Sequence, residues 1–154
     1  MATDTTLAPD PSATAAPRSM TRHLPTAARI LLGLVFFGSG LAGLVMAPPA
    51  LTSPPMPERL VALFNGFLQA GYLLPLIKVT ETLAGALLLA NRFVPLALTV
   101  LAPVVVNIVA VHAFLEHSGL PLAVVIVALH LYLAWSYRAL YRPMLAARAT
   151  PSAK

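Results

Sequence analysis

Apolar residues run along this chain in four long blocks, 27–47, 72–90, 93–115 and 120–137, each about 18 residues or more with few charges. A block of that length matches the roughly 30 Å hydrocarbon core of a bilayer when it is helical, so each block predicts a transmembrane helix. Within the second block two charges interrupt the pattern, Lys78 and Glu81. Between the first and second blocks, Leu60, Leu63, Phe64, Phe67 and Leu68 recur at helical spacing among polar residues. That periodicity predicts a short amphipathic helix on the outer face of the membrane or capping the bundle.

The expected architecture is therefore all-α: an integral membrane four-helix bundle over 27–142. The connections Asn91-Arg92 and Glu116 to Gly119 are so short that successive helices must be antiparallel neighbours. Pro75, Pro95 and Pro121 each fall in the first turn of a block, where the missing N–H costs little, and they mark helix starts. Pro103 lies inside the third block and removes the hydrogen bond to the carbonyl of Thr99, predicting a kink one turn before Asn107. Residues 1–26, rich in Ala, Thr, Ser and Pro, read as a disordered cytoplasmic tail. Residues 143–154 read as a basic cytoplasmic tail.

Composition agrees with this reading: 154 residues, 58% hydrophobic and 10% charged. The net charge of +5 is distributed in a telling way. Arg18, Arg22, Arg29, Arg92, Arg138, Arg142, Arg148 and Lys154 fall on one side of the expected topology, against Arg59 alone on the other. The positive-inside rule then places both termini in the cytoplasm. Because these charges flank spans instead of clustering on a soluble face, they give no reason to expect a nucleic-acid partner; membrane lipid is the expected surroundings.

Charged groups inside a span are costly and tend to pair or to line a pathway, so Lys78 and Glu81 are the first candidates for function. Three residues apart, they share one helix face and can neutralise each other. Lys78 can extend toward the outer surface, whereas Glu81 lies deeper. Gly85 follows one turn on, and Gly33, Gly40 and Gly43 form a small-residue stripe in the first block; these faces are natural packing partners. The other polar groups within blocks are Asn107, His112 and His130. With Lys78 and Glu81 they outline an expected polar pocket open to the outer side, although Asn107 and His112 point about 140° apart on an ideal helix. The chain has no cysteine, which excludes thiol chemistry and cysteine-held clusters, and no metal-ligating motif occurs.

The stretch from Gly71 through Lys78, Glu81 and Gly85, continued by Arg92-Phe-Val-Pro95 and by Leu101-Ala-Pro103 to Asn107, resembles the DoxX family of small bacterial four-span membrane proteins, over roughly Arg29 to Arg142. The resemblance implies a four-helix bundle in the bacterial cytoplasmic membrane. It also implies a link to membrane redox or oxidant-defence systems, with quinone as a ligand and a redox enzyme as a partner. On that basis Glu81 and Lys78 are expected to exchange a proton with the ligand, and Asn107, His112 and His130 to bind it. A non-enzymatic assembly or adaptor protein, a subunit of a small-solute transporter and a homo-oligomer are the other expectations.

Overall fold

A computed structural model describes residues 23–46 and 56–143. Apart from one short 3-10 turn and the connections, these residues are α-helical: α1 (Leu24–Val45), α2 (Glu58–Ala70), α3 (Leu73–Leu89), α4 (Val94–Phe114), the 3-10 turn His117–Gly119, α5 (Leu120–Ser136) and α6 (Arg138–Tyr141). Helix α1 packs on α3, α3 on α4, α4 on α5, and α5 returns to α1. The core of this four-membered ring is filled by Leu32, Phe36, Leu88, Leu98, Leu101 and Leu133, all with almost no exposed surface. The protein is a helical membrane bundle, all-α throughout the described residues.

Helix α1 begins at Leu24, inside the segment expected to be a disordered tail, because Pro25 occupies its first turn. Proline is favoured there: its fixed φ is helical and its missing N–H would be unpaired anyway. The remainder of that tail, residues 1–22, and most of the basic C-terminal tail, residues 144–154, lie outside the described residues. Prolines likewise open α4 and α5 at Pro95 and Pro121. Helix α4 continues past Pro103 as one 21-residue element.

Helix α1, helix α4 and the run His117–Ser136 are each long and apolar enough to cross a bilayer. Helix α3 has only 17 residues, about 26 Å, and joins α2 in a pair bent by 94°. Counting that bent pair as one span brings the number to four. The corner falls at Gly71, whose φ of +72° suits a residue without a Cβ.

The far end of α3 closes with Asn91 in the left-handed region, φ 55°, its N–H donating to Leu88 O while Arg92 N–H donates to Leu87 O. This is a Schellman ending with asparagine in place of glycine. Arg29 completes it from another helix. Although it resembles a flanking topology charge in the sequence, Arg29 is buried and its guanidinium donates to the carbonyls of Leu88 and Leu89, the latter at 3.2 Å. Carbonyls at a helix C-terminus lack the N–H partner of a following turn and carry partial negative charge, so they compensate a buried cation well.

At the opposite end, Glu116 accepts from the N–H groups of Ser118, at 2.8 Å, and Gly119, at 3.3 Å, and so organises the turn into α5. The Ser118 bonds hold the Glu116 carboxyl below its ordinary value. A carboxyl whose pKa falls on folding stabilises above its unfolded value and loses that contribution as pH falls through the folded one. The Ser118 and Gly119 amides should therefore stay protected from exchange at neutral pH and lose protection only as pH falls below the ordinary carboxylate range. Glu116→Gln should abolish that extra pH dependence; an unchanged profile in the variant would show that the carboxylate does not hold the turn.

Candidate functional site

The contact between α1 and α3 shapes the site. A Cβ on Gly40 would lie 2.5 Å from Thr82 Oγ1 and 2.6 Å from the Thr82 backbone N, and one on Gly85 would strike the Phe37 backbone N. Only glycine permits helices to approach this closely, and the approach brings polar groups of both helices together. Lys78 lies along Gly43, where a Cβ would be 2.5 Å from its Cδ.

In that seam Lys78 Nζ donates to Glu81 Oε2 at 2.8 Å. Ser39 on α1 reaches the same oxygen at 3.1 Å and its own helix's Phe36 O at 3.3 Å. One hydroxyl proton serves only one of these acceptors at a time. The Glu81 side chain is 6% exposed and that of Lys78 22%. Glu81 Oε1 and two of the three Lys78 N–H bonds have no partner among the described side chains, so the pair is neutral as a unit with hydrogen-bonding capacity remaining. Ser39 was not among the expected site residues. Its signal in the sequence is slight, a lone hydroxyl between Gly38 and Gly40 in an apolar block.

Lys78 and Glu81 open onto a cavity of about 160 Å³. Helix α4 contributes Val104, Asn107, Ile108 and Val111 along one face, and His112 at its end. Helix α2 covers the cavity with Leu60, Leu63, Phe64 and Phe67. Phe64 and Phe67 meet edge to face, with ring centres 6.3 Å apart and planes at 81°. The amphipathic helix thus turns its apolar face onto the charged pair.

Of the five expected site residues, Lys78, Glu81, Asn107 and His112 line this one cavity. Asn107 makes no hydrogen bond to Lys78, Glu81 or Ser39, which leaves its amide free toward the cavity. His112 is drawn to the cavity's end by its own loop: its Nδ1 lies 3.1 Å from Glu116 O and 3.3 Å from Glu116 Oε2, and its ring packs directly against Gly119. Those contacts give His112 a loop-holding role. His130 does not join the group. It is buried on α5 and borders two clefts between α4 and α5, on the other side of α4.

A seam of intramembrane charge opening onto a small apolar cavity, inside a ring of long apolar helices, defines a small multi-pass integral membrane protein. The chain belongs to the DoxX family: the family model described as DoxX matches residues 24–118, more than half of the sequence. The match covers α1 through α4 and the Glu116 turn, and so includes every residue of the Ser39, Lys78 and Glu81 cluster. No curated protein and no solved structure matches the chain.

Proposed function

We propose that this protein is a membrane subunit of a quinone-linked redox or oxidant-defence system, and that the cavity beside Glu81 receives the head of a quinone. The observation that carries the reading is chemical asymmetry. Helices α3 and α4 present unused donors on Lys78 and Asn107 and an unused acceptor on Glu81, while the rest, apart from His112 at one end, is aliphatic and aromatic. A neutral ring bearing oxygens matches both parts. Cavities of about 150 Å³ are known to hold one six-membered aromatic ring, so the volume suits a single-ring head.

In this reading Lys78 N–H and the Asn107 amide donate to a ring oxygen, and Glu81 accepts a proton from a ligand hydroxyl. The chain has no cysteine, so electrons would be exchanged with a partner redox protein. The basic flanks favour the bacterial cytoplasmic membrane with both termini inside, and the cavity then faces the outer leaflet. Decylubiquinone titrated into the purified protein should bind about tenfold or more weakly to a Lys78→Met/Glu81→Gln double variant, the loss expected for hydrogen bonds involving charged groups. Equal affinity in the variant would sink the proposal.

The Ser39 bond to Glu81 supports a second reading, because it bridges α1 and α3 where the glycines bring them together. In an assembly or adaptor protein the charged cluster would fix helix packing and nothing more. Glu81→Gln would then lower accumulation or recovery of a partner, and quinone affinity would not respond.

A further inference from the structure

We infer that the cleft between α4 and α5 at His130 is a second ligand site, for a neutral bilayer-soluble compound that offers a carbonyl oxygen to the imidazole. Two cavities meet at this residue. One, of about 380 Å³, lies against Val105, Val106, Val109 and Val127; the other, of about 560 Å³, extends past Thr99, Trp135, Arg138 and Tyr141. Both are bordered by Ala102, His130 and Leu131, so they form one continuous groove. Each is within the range of small-molecule sites.

His130 singles itself out chemically. Its residue is 8% exposed, and its Nδ1 is the one buried side-chain polar atom without a hydrogen-bond partner among the described residues. An unpaired buried polar group is destabilising, so an imidazole is an unfavourable way to fill apolar space. With Nδ1 closed in by packing, the neutral tautomer that places its proton on Nε2 leaves the lone pair of Nδ1 unpaired and directs the N–H into the groove. The hydroxyls along the groove, and one Arg138 N–H, are engaged by the protein itself. Thr99 Oγ1 and Tyr141 OH both donate to Pro95 O, at 2.9 and 3.1 Å, and Arg138 donates to Trp135 O while lying over the Trp135 ring. The imidazole is the buried group left with a bond to give.

Three features define the occupant. The neighbours of His130 in the first cavity are all aliphatic, so the ligand is neutral there. An N–H donor asks for an acceptor oxygen. His130 lies six residues from the end of α5, about 9 Å into the span, deeper than the ester groups at the edge of the hydrocarbon core. A carbonyl carried on a freely immersed ring fits that depth; the quinones of the bilayer are such molecules. The groove is independent of the Glu81 cavity. On α4, residues 104, 107, 108 and 111 face one and 102, 105, 106 and 109 the other, centred about 160° apart around the helix.

The test is photolabelling of the full-length protein in nanodiscs with an azido-substituted decylubiquinone, read residue by residue. Label is expected on α5 between Val127 and Leu131. It should fall about tenfold in His130→Leu, the value of one well-placed hydrogen bond, and likewise in Val106→Phe, which fills the groove from α4 without touching the imidazole. Glu81→Gln should leave this label unchanged, and His130→Gln, which keeps an N–H donor, should retain more of it than His130→Leu. Label confined to α2 would overturn the second site and leave the Glu81 site standing; label confined to α5 would do the reverse. Label on α5 that persists in both His130→Leu and Val106→Phe, equal loss in His130→Leu and His130→Gln, or displacement by phosphatidylglycerol as readily as by unlabelled decylubiquinone would each overturn the assignment.

Discussion

Gly85→Leu is expected to prevent accumulation of the folded protein, whereas Gly38→Leu should be tolerated. At Gly85 even a single carbon meets the backbone N of Phe37, and at Gly38 nothing lies within 4 Å. A flexible side chain can move aside, but a backbone atom moves only with its helix, so the α1–α3 seam would have to open. Overpacking of a core typically costs about 1–3 kcal/mol and occasionally more, and here it also separates Ser39 from Glu81. Gly40→Leu should behave like Gly85→Leu, since its Cβ would meet Thr82 N at 2.6 Å. Yield and thermal stability of the detergent-solubilised variants provide the check. A stable Gly85→Leu protein would mean that the helices are not in this contact.

The second large effect concerns the charged pair, and its two halves should not be equivalent. Removing one partner of a buried pair costs about 3–5 kcal/mol because it leaves the other charge uncompensated. Lys78→Met leaves Glu81, 6% exposed, with only the shared Ser39 proton. Glu81→Gln leaves Lys78, 22% exposed, on a flexible stem that can extend toward polar surroundings. Lys78→Met should therefore destabilise more than Glu81→Gln, and the double variant should recover most of the loss, as replacement of a whole pair often does. A double-mutant cycle on thermal stability measures this. Simple additivity of the two losses would show that the pair does not act as a unit.

Much of the architecture was legible because the signals were local. Apolar blocks, first-turn prolines and the helical spacing of Leu60, Leu63, Phe64 and Phe67 each refer to one segment, and α2 occupies nearly the expected stretch. Pro25 carried the same message as Pro95 and Pro121, yet the Ala, Thr and Ser composition around it concealed three further residues of helix before Ala27. The glycine stripe named its own partner, since Gly33, Gly40 and Gly85 are each unsuited to anything except a close helix contact.

What escaped the sequence depended on azimuth and on distant segments. Arg29 looks like any basic residue at a span's edge until α1 is placed beside the end of α3, some sixty positions later. Ser39 acquires a role only through Glu81, 42 residues away. His130 had a readable depth, but nothing in α5, apolar all round, told which side of the helix it would face; it turns to α4 and away from the Glu81 cavity. Asn107 and His112 were expected to diverge by about 140°. They border one cavity because the Glu116 turn holds the His112 ring at its end.

The central claim is that the unused donors of Lys78 and Asn107 meet a ligand oxygen, and the carbonyl stretch of a bound quinone reports that contact directly. Infrared difference spectra of decylubiquinone carrying a ¹³C-labelled carbonyl should show the band moving to lower wavenumber on binding to His130→Leu protein, in which the second site is disabled. The band should move back toward its free position when Lys78→Met/Glu81→Gln is added to that background, because only the Asn107 donor then remains. No shift, or the same shift with and without the charged pair, would contradict the account.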